Sequence, residues 1–235
     1  MSNRDLAALK RAAAEKALEY VEPGMKLGLG TGSTAEAFLD LLAQRVKAGL
    51  LINGVPTSER TAQKARALGI PLGSLDELAP LDLAVDGADE ADGNLDLIKG
   101  AGGALLREKI VAAAAERMVV IVDETKLVKR LGLFPLPVEI VHFAHHTTSR
   151  VVGKLLDACG YAGAVIALRM KDSVPFRTDA GNVIYDCAFG TIRDAEELAA
   201  QLSQVPGVVA HGLFLGLASA LIVARPGKVE VFERG

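Results

Sequence analysis

The chain carries its reactive groups close together: Asp86-Gly87-Ala88-Asp89-Glu90, then Lys99-Gly100-Ala101-Gly102-Gly103, then Glu108. A carboxylate that moves a proton and a cation that holds developing negative charge are the minimum set for enolisation beside a carbonyl. The glycine and alanine positions expose backbone amides and leave room for a ligand beside the acids. Earlier in the chain, Gly28-Leu29-Gly30-Thr31-Gly32-Ser33-Thr34 combines glycines, for a sharp turn and close approach, with hydroxyl donors. At the start of a helix, free amides in such a loop favour an anion such as phosphate.

Competing readings of the same stretches bear on that chemistry. The Gly30-x-Gly32-x-x-Ala35 spacing fits a permissive dinucleotide fingerprint. Yet the following strand offers Asn53 and no acid at the ~20-residue offset that a ribose requires. No Gly-Lys-Ser/Thr follows, which argues against a P-loop. Phosphate without a nucleotide fits better, a capped strand-to-helix turn being the purely structural alternative. Three acids in the five positions Asp86 to Glu90 also fit a divalent metal site or a solvated loop, but no His or Cys lies nearby to complete a typical transition-metal set, so no metal is expected there. Glu108 falls one turn beyond Ala104, near the positive end of a helix. That dipole and Lys99 favour its ionised form, apolar enclosure favours the neutral one, and a surface glutamate pairing with Arg107 or Lys109 is the structural alternative. Asp123-Glu124-Thr125-Lys126 follows a buried strand, from which Lys126 can reach the same crevice. His142, His145 and His146 are expected at a helix entry or on the surface rather than on a metal.

The elements that must position these groups follow from periodicity. Helical spacing covers Asp5 to Tyr20, Thr34 to Val46, Glu59 to Leu68 and Ala104 to Glu116. Apolar strand patterns cover Lys26 to Gly30, Leu51 to Val55, Ile70 to Leu72, Leu81 to Val85, Leu95 to Ile98 and Met118 to Val122. This alternation predicts an α/β fold, a mostly parallel Rossmann-like sheet with helices on both faces. Asp86 then lies at the carboxyl edge of the sheet, where such folds bind ligands. After Pro135-Leu136-Pro137 the rhythm becomes strand (Val138 to Phe143), helix (Thr148 to Ala158), strand (Ala164 to Met170), strand (Asn182 to Phe189), helix (Asp194 to Leu202) and strand (Val208 to His211). That order predicts an inserted ferredoxin-like (βαββαβ) α+β domain over 138–211, with 1–137 and 212–235 forming the main domain.

Bulk composition excludes several classes. The 235 residues are 50% hydrophobic and 23% charged, enough for a sizeable core. With 4% aromatics, no Trp and a net charge of -3, neither base stacking nor a polyanion surface is supported, and no nucleic-acid partner is expected. The apolar run from Gly212 to Ala224 is shorter than the ~20 residues a bilayer needs and reads as two strands turning near Gly216, so no membrane partner is expected. Cys159 and Cys187 are read as free buried thiols of a cytoplasmic protein.

Together the motifs resemble the A-type ribose-5-phosphate isomerase family. The landmarks are Gly28 to Thr34, Asp86 to Glu90, Lys99 to Gly103 with Leu105-x-Arg107-Glu108-Lys109, Asp123 to Lys126, Phe134 to Glu139, Gly181-Asn182 and Pro206-Gly207-Val208-Val209 with Gly212-Leu213-Phe214. The resemblance implies interconversion of ribose 5-phosphate and ribulose 5-phosphate through a cis-enediolate, in the non-oxidative pentose phosphate pathway, without metal or organic cofactor. It implies Glu108 as the base, and Lys99 with the amides of Gly100, Ala101 and Gly102 as the support of the enediolate oxygen. It further implies Asp86 in ring opening and proton movement, Asp89 on sugar hydroxyls, and Gly87 and Ala88 beside the substrate. Thr31, Gly32, Ser33 and Thr34 then line the substrate site at the phosphate, with Lys126 as a further contact, in a homodimer or homotetramer. The rivals are a non-catalytic sugar-phosphate sensor, a nicotinamide-dependent dehydrogenase, and an isomerase of another phosphorylated sugar.

Overall fold

The computed structural model describes residues 3–234. Along the chain run α1 (Asn3–Ala17), β1 (Lys26–Leu29), α2 (Ser33–Lys47), β2 (Asn53–Pro56), α3 (Glu59–Leu68), α4 (Leu75–Leu78), β3 (Leu83–Asp86), β4 (Glu90–Ala91), β5 (Leu97–Ile98), α5 (Leu105–Ala113) and β6 (Met118–Asp123). There follow β7 (Leu136–Ile140), α6 (His145–Ala158), β8 (Val165–Leu168), β9 (Met170–Lys171), β10 (Val174–Pro175), β11 (Val183–Ala188), α7 (Ala195–Ser203), β12 (Val208–His211), β13 (Leu213–Phe214), β14 (Ala220–Arg225) and β15 (Lys228–Glu233). Two compact units result. The first takes the chain through Ala88, Arg107–Leu127 and the stretch from Gly216 onward; the second takes Asp89–Leu106 and Val128–Leu215.

The first unit is built on a six-stranded sheet in the order β15-β14-β6-β3-β1-β2, parallel except for the hairpin strand β15. β3 and β6 are buried along their whole length, which is why they read as unbroken apolar runs. Alternate residues Leu27, Leu29, Leu83, Val85, Val119 and Ile121 pack with Ala13, Ala17, Phe38 and Leu42 of α1 and α2. Each buried Leu or Val of this layer contributes roughly 1.5–3 kcal/mol by its removal from water. Local chemistry sets the helix ends. Ser58 caps α3 by accepting from the Thr61 amide at 3.1 Å, and Gly69 closes it in the left-handed region. Ser74 and Glu77 form a reciprocal capping box on the short α4, which the periodicity did not reveal.

The second unit holds a four-stranded antiparallel sheet in the order β12-β7-β11-β8. Leu136, Val138 and Ile140 of β7 pack with Val152 and Leu156 of α6 and with Leu198 and Leu202 of α7. A three-stranded antiparallel sheet, β13-β5-β4, and the hairpin β9–β10 complete it. Helix α6 starts at His145, three residues before the expected position, with Ala144 ahead of it at φ 51°. His145 Nδ1 lies 2.8 Å and His146 Nδ1 3.1 Å from the Tyr185 hydroxyl.

The division of the chain differs from the expected boundaries at 138 and 211. Residues 89–106 and 128–137 group with the second unit because β5 pairs with β4 and β13, and because the Glu90 carboxylate accepts from the amides of Gly132 (2.7 Å) and Phe134 (2.5 Å). Three local expectations are also corrected. Ile70 to Leu72 contributes a single bridge, Gly54 to Leu72, rather than a strand. Helix α5 is shorter than 104–116. Strand β15 was not anticipated, because it is a partly exposed edge whose Lys228, Glu230 and Glu233 mask its pattern.

Candidate active site

In the first unit, parallel pairing brings the ends of β1, β3 and β6 to one edge of the sheet. Leu29 sits beside Val85, so Gly30 lies against Asp86. A methyl group built on Gly30 would come within 2.6 Å of the Asp86 Cα, so only glycine lets the carboxylate take this position. Asp86 is 3% exposed, and its Oδ1 accepts from the amides of Thr31 (3.1 Å) and Gly87 (2.7 Å). Glu108, from the first turn of α5, is 4% exposed and borders the same small interior space as Gly28, Gly30, Thr57 and Asp86, too tight to hold a water. The two carboxylates that sequence reasoning singled out are thus brought to one place.

The loop before α2 is more committed than its composition suggested. Thr31 Oγ1 lies 2.7 Å from Thr57 Oγ1, 2.8 Å from Ser58 Oγ and 3.0 Å from Thr61 Oγ1. Thr57 and Thr61 in turn donate to the carbonyls of Leu29 and Gly30. The Thr31 hydroxyl therefore anchors the loop. Gly32 takes the N-cap position at φ 113°, and no side chain caps the helix there. Ser33 Oγ accepts from the Lys10 ammonium at 2.9 Å, which sets a cation at the same helix start. Thr34 is part-exposed, and a methyl built on Gly87 would lie 3.9 Å from its Cβ. Lys126 ends a short 3-10 turn after β6, also at the carboxyl edge.

Asp89 and the Lys99 to Gly102 stretch belong to the second unit, and the partly exposed Ala88 closes the first. Lys99 is 2% exposed; its amide donates to the Gly212 carbonyl at 2.9 Å, and its ammonium stands 5.5 Å from the centre of the Phe214 ring. Asp89 Oδ2 accepts from the Ala101 amide at 2.8 Å. Ala101 and Gly102 are exposed. Glu90, adjacent to Asp89, is 3% exposed and turned to the amides of Gly132 and Phe134. Its role is structural: Glu90→Ala strands two amides, and we expect stability to fall by ~2–4 kcal/mol, read from urea unfolding midpoints at a constant slope.

These features match a known group. The family described as ribose 5-phosphate isomerase A (phosphoriboisomerase A) matches residues 53–228. A ribose-5-phosphate isomerase A of Sinorhizobium fredii is 58% identical over 231 residues, covering 98% of this chain and 100% of its own. The chain belongs to the ribose 5-phosphate isomerase A family. Among solved structures, the ribose 5-phosphate isomerase of Plasmodium falciparum superposes with a TM-score of 0.92 at 37% identity, covering 97% of this chain and 98% of its own. A D-ribose-5-phosphate isomerase in complex with phospho-erythronic acid superposes with a TM-score of 0.90 at 39% identity, over 97% of this chain and 99% of its own.

Within that family frame, sequence reasoning missed four side chains. Lys10 and Thr61 fall inside the helical spacings of Asp5 to Tyr20 and Glu59 to Leu68, and Thr57 and Ser58 lie between expected elements, so none of the four stands out as a site residue. The one available signal was the run of hydroxyl residues at Thr57-Ser58 directly after a strand, parallel to Ser33-Thr34 after β1. Beside Glu108, burial pushes the Lys109 ammonium down to about 8. Both cysteines are free, and burial pushes the Cys187 thiol up to about 12, which keeps it unreactive at neutral pH. Among the described residues no helix is long and apolar enough to cross a membrane.

Proposed function

We propose that the chain interconverts ribose 5-phosphate and ribulose 5-phosphate by proton transfer through an enediolate, with Glu108 as the base. The observation that carries this reading is the convergence of two buried carboxylates, Glu108 and Asp86, on one small interior space at the end of β3. A carboxylate there removes the proton from carbon 2 of the open-chain aldose and returns it to carbon 1. Asp86, held by two amides, assists ring opening and moves the proton between the sugar oxygens. Lys99 and the amides of Gly100 and Gly102 hold the negative charge that develops on the enediolate oxygen, the expected Ala101 amide being taken up by the Asp89 carboxylate. Asp89 meets sugar hydroxyls, with Gly87 and Ala88 giving the sugar room.

The phosphate goes to the start of α2, where the uncapped amides after Gly32, the hydroxyls of Ser33 and Thr34 and the ammonium of Lys10 converge. Lys126 is a further substrate contact. The relative bound to phospho-erythronic acid supports a phosphorylated-sugar enediolate reaction, because that ligand joins a phosphate to a planar carboxylate resembling the enediolate. We read the first unit as Rossmann-like, with helices on both faces. The β12-β7-β11-β8 order with two helices reads as a ferredoxin-like unit within 138–211. On the family resemblance and the free thiols we place the enzyme in the cytoplasm, as a homodimer or homotetramer.

The test is a chelator-treated assay, without nicotinamide, over a panel of pentose and hexose phosphates. Ribose 5-phosphate should be converted to the ketose. Turnover of a different sugar phosphate in its place would overturn the substrate, and a strict requirement for nicotinamide would overturn the reaction.

A further inference from the structure

We infer that Arg169 and Asp186 form a positioning pair that sets the orientation of the Ala101 and Gly102 amides. This inference rests on the isomerase reading above. Arg169 follows β8, and its amide donates to the Ile184 carbonyl of the neighbouring strand β11 at 2.8 Å. Asp186, also in β11, receives the guanidinium bidentately, Nε to Oδ2 at 2.9 Å and Nη2 to Oδ1 at 2.5 Å. The side chains are 14% and 26% exposed, so the pair is largely withdrawn from water. The third nitrogen, Nη1, donates to the carbonyls of Gly100 (2.7 Å) and Ala101 (3.2 Å).

The geometry of the peptide group supplies the consequence. The Gly100 carbonyl and the Ala101 amide belong to one planar trans unit and point in opposite directions. Arg169 holds its oxygen, and Asp89 holds its N–H at 2.8 Å, so this plane is gripped at both ends. The next plane carries the Ala101 carbonyl, drawn to the same guanidinium, and therefore turns the Gly102 N–H away from Arg169. Two successive carbonyls converging on one cation leave two successive amides directed to the opposite side; the Ala101 amide meets the Asp89 carboxylate there, and the Gly102 amide is the one presented to a developing oxyanion. Glycine at two of the three positions gives this loop little stiffness of its own. The Gly103 amide closes a turn on the Gly100 carbonyl at 3.0 Å, and the guanidinium adds an external clamp on that oxygen and the next. Only a planar fork can serve two carboxylate oxygens and two carbonyls at once; a lysine ammonium cannot.

Amides that meet the oxyanion matter more in the transition state than in the bound sugar, so misdirecting them lowers kcat more than it raises KM. The test compares Arg169→Lys, Asp186→Asn and the double variant on ribose 5-phosphate, with melting curves to verify folding. We expect Arg169→Lys to lower kcat by about 10- to 100-fold, a part of the ~10²–10³ that a lost oxyanion donor costs, with KM shifted less than about threefold. The double variant should be no worse than about twofold below Arg169→Lys, because Asp186 acts through the guanidinium. Asp186→Asn, which keeps size and shape, decides the matter if the arginine variant does not fold; it too should lower kcat with KM unmoved. An unchanged kcat in a folded variant, or a rise in KM alone, would overturn the clamp while leaving the isomerase reading intact. An inactive wild-type protein would overturn both.

Discussion

Glu108→Gln is expected to lower kcat for ribose 5-phosphate by about 10²- to 10⁴-fold, with KM changed little. Glutamine preserves the length and shape of the side chain in the interior space beside Asp86, and it retains a polar group in a position that is 4% exposed. What it loses is the ability to accept a proton from carbon. The phosphate and hydroxyl contacts proposed for the α2 start and for Asp89 are untouched, so substrate binding survives. Exchange of the carbon-2 hydrogen with solvent deuterium should fall in parallel with kcat, because both need the same base. A variant that keeps more than about a tenth of wild-type kcat would remove Glu108 from that role.

Lys99→Met should lower kcat by about 10²- to 10³-fold and weaken phospho-erythronic acid by a larger factor than it raises KM for ribose 5-phosphate. Methionine fills the volume of the lysine stem while removing the ammonium and its approach to the Phe214 ring. The charge proposed for it to neutralise is formed during the reaction, and phospho-erythronic acid carries a like charge from the start. On that proposal Glu108→Gln removes a proton carrier and Lys99→Met an electrostatic support, so the two variants separate in their affinities for phospho-erythronic acid. Equal weakening of ribose 5-phosphate and phospho-erythronic acid would mean that Lys99 is a uniform binding contact instead.

Much of the fold was legible because its signals are local. β3 and β6 are buried on both faces and therefore appear as continuous apolar runs, and α3 is bracketed by Ser58 and Gly69. The loop from Gly28 to Thr34 was readable from its glycines, and Glu108 from its place in the first turn of a helix. The rest depended on partners distant in the chain. Lys10 meets Ser33 across 23 positions, and Thr31 meets Thr57 across 26. Arg169 reaches Gly100 across 69. No spacing rule covers such separations, because they are set by which strands pair and in what register.

The acids of Asp86 to Glu90 show where the division lies. The order of residues alone established that three carboxylates follow a buried strand, that glycine separates them, and that a lysine and a helix-borne glutamate come soon after. Their separate roles came from tertiary pairing. Parallel alignment of β3 with β1 sets Asp86 against Gly30 and the Thr31 amide, whereas antiparallel pairing of Glu90 with Ile98 turns its carboxylate to Gly132 and Phe134. Four residues apart, one acid borders the interior space beside Glu108 and the other closes a loop. Composition and local pattern determine which groups exist and which backbone shapes they permit; strand pairing determines the direction of each side chain, and direction decides which acid meets Gly30 and Thr31 and which closes a loop.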